Sequence, residues 1–296
     1  MKRLTCVLTS ITFLCLLIIA PLDSHAQELV PEDTLSGWDV NWIAGLNGSQ
    51  SAYSNWSRGG VNNLSVVGSS ELIALYRQNS FSYGFRLRTQ YGQSRIQDEG
   101  TRKTDDRISL RNRFLYDLGG EDDLDFSLYA NINFETQFGN GFDYGAGEDD
   151  SDVLISRFMA PAYFTQNVGI AYIPDDSFSI ETGIGLKQTI VRDTELSTRY
   201  GLDPGDQFFN EAGFTFGMNY EQEIFENVAY SGYVETFSNL NRSLSRTDVY
   251  WSNQLVGRIN SFLNMTFRFE LMYDDDFSEE VQISQVLSAG ISIILY

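Results

Sequence analysis

The sequence predicts an all-β fold, a transmembrane antiparallel up-and-down β-barrel of about 12 strands. Three observations carry that prediction. After residue 36 the chain runs in long stretches that alternate bulky apolar with small or polar side chains, the period-two pattern of strands with unlike faces. Twelve such stretches can be counted, and an even number is usual in single-chain bacterial barrels. Their connections are alternately tight and long, the long ones rich in acid, as in barrels with short periplasmic turns and longer outer loops.

Taken in order, residues 1–26 read as a cleaved secretory signal. Lys2 and Arg3 precede an apolar run that reaches Ala20, and Ser24-His25-Ala26 supplies small residues at the minus-three and minus-one sites. A lipoprotein reading of Cys15 fails because Leu14 stands where a small residue is needed. Cys6, Cys15 and His25 all fall in this segment, so the remaining chain has no thiol to staple it and no imidazole. Loss of Lys2, Arg3 and Asp23 moves the formal charge from −20 to −21, which argues against nucleic acid as a partner. Residues 27–36 read as a short periplasmic lead, disordered from Glu28 to Ser36, and 37–296 as the barrel.

Strands are expected at about 38–50, 62–77, 80–94, 107–118, 124–138, 159–173, 177–191, 208–223, 228–240, 248–259, 262–274 and 281–296. Outward sets are regular: Trp38, Val40, Trp42, Ala44 and Leu46 in the first strand, and Leu263, Met265, Phe267, Phe269, Leu271 and Tyr273 in the eleventh. Five or six such residues on a tilted strand cover roughly the 25 Å apolar band of an outer-membrane barrel. Tight turns are expected at Gln78-Asn79, Gly119–Asp122, Pro174–Asp176, Phe225–Asn227 and Asn260-Ser261, and the longest loops at 139–152 and 192–207. Both termini then lie on the periplasmic side. No later segment approaches the roughly 18 apolar residues of a spanning helix. A secreted β-sandwich also alternates, but its strands average about 5 to 6 residues, half the length seen here.

The polar faces point inward and carry the candidate site. Arg86, Arg88, Arg111 and Arg113 form a cationic wall on strands three and four. Counting back from the turns sets Glu71 opposite Arg86 and Arg107 opposite Glu135, ordinary cross-strand ion pairs. Further round come Glu181, Lys187, Glu211, Glu221, Glu235, Arg258, Arg268 and Glu270, with Lys187 expected to pair with Glu211 on the next strand. Two uses are open for these charges. They make a transverse field that sorts solutes, or they neutralise one another and fill a lumen that twelve strands leave modest. Outward Tyr76, Tyr83, Tyr116, Tyr172, Tyr220 and Tyr230 near the turns, and Tyr91, Trp251 and Tyr273 near the loops, read as interfacial belts.

Without histidine the chain lacks the usual general base and metal ligand, and no enzyme is expected. Lys103, read as a loop residue, and Lys187 are the only lysines after the signal. Glu148–Asp152 and Asp274–Asp276 with Glu279-Glu280 offer the oxygen ligands that divalent cations such as Ca²⁺ take, but without the spacing of an EF-hand; solvated loop charge is the alternative. No cofactor is expected. The partners implied are outer-membrane lipid and lipopolysaccharide, and the barrel-insertion machinery during assembly, all at a bacterial cell outer membrane.

Six motifs occur in order: Asn55-Trp56-Ser57-Arg58-Gly59-Gly60, Arg102-Lys103-Thr104-Asp105-Asp106, Glu135-Thr136-Gln137-Phe138, Met159-Ala160-Pro161-Ala162-Tyr163, Gly201-Leu202-Asp203-Pro204-Gly205 and Tyr273-Asp274-Asp275-Asp276. Together they resemble the Bacteroidota barrels grouped as domain of unknown function 3078. The resemblance implies an outer-membrane β-barrel and brings no substrate or catalytic residue with it. One departure concerns assembly: Tyr296 is terminal, but the apolar set Ile283, Leu287, Ala289, Ile291, Ile293 and Leu295 has the opposite parity. On these grounds the chain is expected to be a narrow porin-like channel for small polar or anionic solutes, the alternative being a non-conducting structural or interaction barrel.

Overall fold

The computed structural model describes residues 29–32, 34–51, 61–119, 125–242, 247–274 and 278–296. Its strands are β1 (Gly37–Ser51), β2 (Asn63–Gln78), β3 (Phe81–Ile96), β4 (Gly100–Asp117), β5 (Phe126–Thr136), β6 (Gly141–Asp143), β7 (Val153–Ser156), β8 (Ala162–Asp175), β9 (Phe178–Ile190), β10 (Phe208–Phe225), β11 (Val228–Asn239), β12 (Asp248–Arg258), β13 (Leu263–Asp274) and β14 (Ser278–Ile294). Twelve of them pair in chain order, all antiparallel, and β14 returns to β1 to close the barrel; β6 and β7 make a separate hairpin between β5 and β8. The fold is thus the closed twelve-stranded barrel that the alternation and the even count predicted.

Side chains sort by parity. Trp38, Trp42, Leu46, Leu128, Ile132, Val168, Ile184, Phe214, Met265, Phe267 and Leu287 stand exposed on the outer face, while small, amide and charged residues turn inward. Near the tight turns the outer aromatics touch one another: Trp38 lies 4.9 Å from Tyr76, Tyr83 4.9 Å from Phe114, Phe126 5.2 Å from Tyr172 and Tyr220 6.1 Å from Tyr230. Near the loops Trp251 meets Phe269 edge-on at 5.5 Å. Such pairs suit an interfacial girdle, where one ring edge is apolar and the other wet.

Several boundaries differ from the sequence reading. β4 begins at Gly100, seven residues before the expected start, so Lys103 lies on a strand and not in a loop. β14 begins at Ser278, which shortens the connection expected after residue 274. The long loop 139–152 holds β6 and a single 3₁₀ turn at Glu148–Asp150, and the loop after β9 holds a 3₁₀ segment, Thr194–Tyr200. That segment folds onto a small core of Ala160, Val191, Leu196, Tyr200 and Leu202; the Tyr200 hydroxyl donates to the Ile155 carbonyl at 2.7 Å, and its burial raises its pKa. The lead expected to be disordered is packed instead: Leu29 is buried against Ile73 and Leu75. The motif Asn55–Gly60 lies outside the described residues.

Inside, Gly169 and Gly183 face each other across β8 and β9, and Tyr129 of β5 lies over both. A ring takes the space of two absent side chains, as aromatics do over strand glycines. A Cβ at Gly183 would sit 2.1 Å from the Val168 carbonyl oxygen and 2.8 Å from the Tyr129 hydroxyl. Gly183→Ala is therefore expected to destabilise the barrel by about 1–3 kcal/mol, read as a lower urea midpoint in detergent micelles. An unchanged midpoint would show that this packing does not hold the wall together.

Candidate functional site

The lumen holds a cavity of about 890 Å³. Its lining runs from Asn260 and Phe262 at a tight turn to Ser156, Tyr163 and Tyr200 at the loop end. Eight basic side chains line it (Arg86, Arg88, Arg107, Arg111, Arg113, Lys187, Arg258 and Arg268) and eight acidic ones (Glu71, Asp105, Glu135, Glu181, Glu221, Glu235, Glu270 and Asp274). Glu211 is buried beside Lys187. Among the described residues the charges that line the cavity therefore balance, and Glu211 and Asp248 beside Lys187 add two carboxylates at the loop end, while the whole chain carries −20. Any preference for ions must come from where the charges sit, not from their sum.

Two expected pairings are made by a different route. Gln78 pairs with Phe81 across a two-residue turn of Asn79 and Ser80, with Asn79 at φ 52°. The register is then two residues from the expected one: Glu71 lies opposite Arg88, and Ile73 opposite Arg86. Arg86 still reaches Glu71 diagonally, Nε to Oε1 at 3.3 Å. Likewise Ser109, not Arg107, stands opposite Glu135, and Arg107 reaches it diagonally at 3.6 Å. An even shift keeps every side chain on its face, and a diagonal neighbour remains within reach of a long side chain.

What strand-by-strand reading could not show are the contacts across the lumen. Going up β4 from the tight turns, Arg113 crosses to Glu181 of β9 at 2.6 Å, with its guanidinium 5.8 Å from the Tyr129 ring. Arg111 lies over the ring of Tyr233 on β11 at 5.6 Å. Arg107 reaches Glu270 on β13 at 3.7 Å, and Glu270 accepts from the Tyr250 hydroxyl at 2.7 Å. At the loop end Lys187 lies 3.8 Å from Glu211, the expected partner, but sits closer to Asp248 at 2.7 Å and Asp274 at 2.8 Å. The lumen is thus tied across at successive levels.

Two cations stand apart from the ion pairs. Arg86 and Arg111 are direct cross-strand partners, a like-charge pairing that costs energy unless compensated. Arg86 has Glu71, but Arg88 and Arg111 have no carboxylate within 4.0 Å among the described residues. Arg268 donates to Gln254 at 3.3 Å and faces the charge of Arg88 across the lumen. The missed residues Asp248, Asp274, Tyr129, Tyr233 and Tyr250 share the inward parity of the strands expected there, and parity alone would have found them; Asp105 also faces inward, on the part of β4 that precedes its expected start.

The motifs meet at the loop-end rim. Asp106 accepts from the backbone N–H of Phe138 at 2.7 Å and of Gly139 at 2.9 Å, and from Lys103 at 2.9 Å. Thr136 accepts from the Met159 N–H at 3.1 Å and donates to the Pro161 carbonyl at 2.9 Å. These residues bind loops to one another. Of the acidic clusters, Glu148–Asp150 form an exposed turn, Asp152 accepts from the Gly145 N–H at 3.1 Å, and Asp274 turns inward to Lys187; Asp275 and Asp276 lie outside the described residues.

Residues 49–142 match the family model described as "Protein of unknown function (DUF3078)". Among solved structures the chain is similar to the translocator domain of autotransporter NalP from Neisseria meningitidis, at 13% identity over 88% of this chain and 89% of that one, with a TM-score of 0.36. It is also similar to an outer membrane channel from Pseudomonas putida F1, at 8% identity over 92% and 98%, TM-score 0.41, and to the KdgM porin, at 10% over 85% and 97%, TM-score 0.30. No curated protein matches the chain. Closure of the barrel rests on its own strand pairing.

Because Arg113 and Glu181 are both largely buried, removing one partner leaves the other charge uncompensated. Arg113→Met is expected to cost about 3–5 kcal/mol, and adding Glu181→Leu to recover most of that loss. Urea midpoints of the two variants test this; additive losses would mean that the pair is not coupled.

Proposed function

We propose that the chain is an outer-membrane β-barrel forming a narrow channel for small anionic solutes. The outer face supports the location: a contiguous apolar band with aromatic rims is stable only against lipid, here outer-membrane lipid and lipopolysaccharide. The solute preference is carried by one observation, the inward Arg86, Arg88 and Arg111 held together, with no carboxylate within 4.0 Å of Arg88 or Arg111 among the described residues. Each lumen acid named above in an ion pair already has its donor. An anion that enters the lumen finds donors ready; a cation must compete with resident arginines. Arginine rings select anions on this principle.

A second reading, a non-conducting interaction barrel, is favoured by the ties of Arg107 to Glu270 and Arg113 to Glu181 across the lumen. Conductance of purified protein in a planar bilayer separates the two. Small steps with a reversal potential favouring anions are expected, moving toward cations in Arg88→Glu with Arg111→Glu. Silence of the wild type and of a chain lacking residues 27–32 would leave the interaction barrel.

Topology follows from the same placement, since short turns face the periplasm. Cysteines at Gly147 and Asp203 are expected to react with impermeant reagents on intact cells, and one at Asn227 to stay unlabelled. Labelling at Asn227 in sealed cells would invert the barrel.

A further inference from the structure

The inward face is polar over most of its height, but at the tight-turn end it becomes apolar. Ile73 and Leu75 of β2 and Leu115 of β4 are buried there, and Ala171 of β8 is fully so. The surface they make is occupied by the chain's own lead. Leu29 packs on Ile73 and Leu75, Val30 on the cluster of Leu115, Tyr129 and Ala171, and Pro31 is fully buried. Arg77 donates to the Pro31 carbonyl at 3.3 Å.

Gly84 completes the seat. The three atoms nearest to a Cβ built there all belong to Leu29, the closest at 2.6 Å. Any other residue on that inward position of β3 would occupy the space that Leu29 fills. The lead is nevertheless not part of the wall: none of its described residues belongs to a strand, and side-chain packing with a bond from Arg77 to Pro31 helps to hold it. From Pro31 to Gly37 the tether is six residues, at most about 20 Å when extended, enough to leave the mouth without being lost.

We propose that Leu29, Val30 and Pro31 are a tethered stopper that closes the periplasmic mouth of the lumen and opens it by undocking. The gating role rests on the channel reading above; the docking does not. Burying Leu29 and Val30 removes the apolar ring from water, so the docked state is the resting one. The stopper sits directly below the Arg113–Glu181 tie, since Leu115 and Arg113 are successive inward residues of β4 and Tyr129 touches both levels.

The test uses the chain beginning at Gln27, which has no cysteine. Leu29→Cys with Gly84→Cys is expected to cross-link under mild oxidation in the folded barrel, and the cross-linked form to conduct less than the same protein after reduction. Deleting residues 27–32, or replacing Gly84 by Ala, whose Cβ would meet Leu29 at 2.6 Å without filling the mouth, is expected to raise single-channel conductance several-fold, with the folded state verified by the band shift on boiling. Absence of the cross-link in folded protein overturns the docking. A cross-link with conductance equal in wild type, deletion and Gly84→Ala overturns the stopper and leaves the lead as packing. Silence of every variant overturns gating together with the channel, while the cross-link would still report the docked lead.

Discussion

Sheet closure is the constraint on which the rest of this molecule depends. In hydrocarbon every backbone N–H and C=O must find a partner within the protein, and a sheet achieves that only when its last strand returns to its first. Once the wall closes, period two leaves two destinations for a side chain, lipid or lumen. In the membrane setting proposed above, a chain with this many carboxylates and few bases must place its membrane-depth charge in one narrow space. Ion pairing across the lumen follows, because a charge in a confined, poorly hydrated site is tolerated only beside its opposite.

The lumen answers that demand unevenly. Arg113 is nearly buried and bound at 2.6 Å, whereas among the described residues Arg88 and Arg111 have no carboxylate within 4.0 Å, Arg111 lying over the Tyr233 ring instead. Pairs of the first kind fix the shape of the wall; cations of the second kind set its sign. The arrangement combines a rigid frame of ion pairs with two cations outside it, which is how binding sites in general are organised. The apolar ring at the tight-turn end adds a third environment, where the chain supplies its own occupant.

The sequence made the fold legible because alternation survives every local accident: twelve strands and their facing could be read from Trp38 to Leu295. Register was less legible, since Asn79 accepts a left-handed conformation that moves the turn centre by one residue. The ion pairs of Glu71 and Glu135 were still found, because parity and not register decides which side chains share the lumen. Contacts such as Arg107 with Glu270 were hidden, because which strands face each other depends on the circumference and not on neighbours in sequence. The packed lead did leave a signal: Leu29, Val30 and Pro31 are apolar in a polar segment, and Ile73, Leu75 and Leu115 are apolar on faces that are polar elsewhere.

The seam between β1 and β14 has a consequence for how the barrel comes into being. Along β1, fifteen residues pair with β2 but only five, Ile43–Asn47, pair with β14, extended by backbone bonds of Trp42 with Leu295 and Tyr296. Every other neighbour in the wall is adjacent in the chain or separated by one small hairpin, so those ladders can zip locally at little loop entropy. The seam alone joins the two ends of the polypeptide and has few bonds with which to do it. Closure is therefore the step that loop entropy and contact order make hardest, and an unclosed sheet would present two bare edges at which another strand could pair.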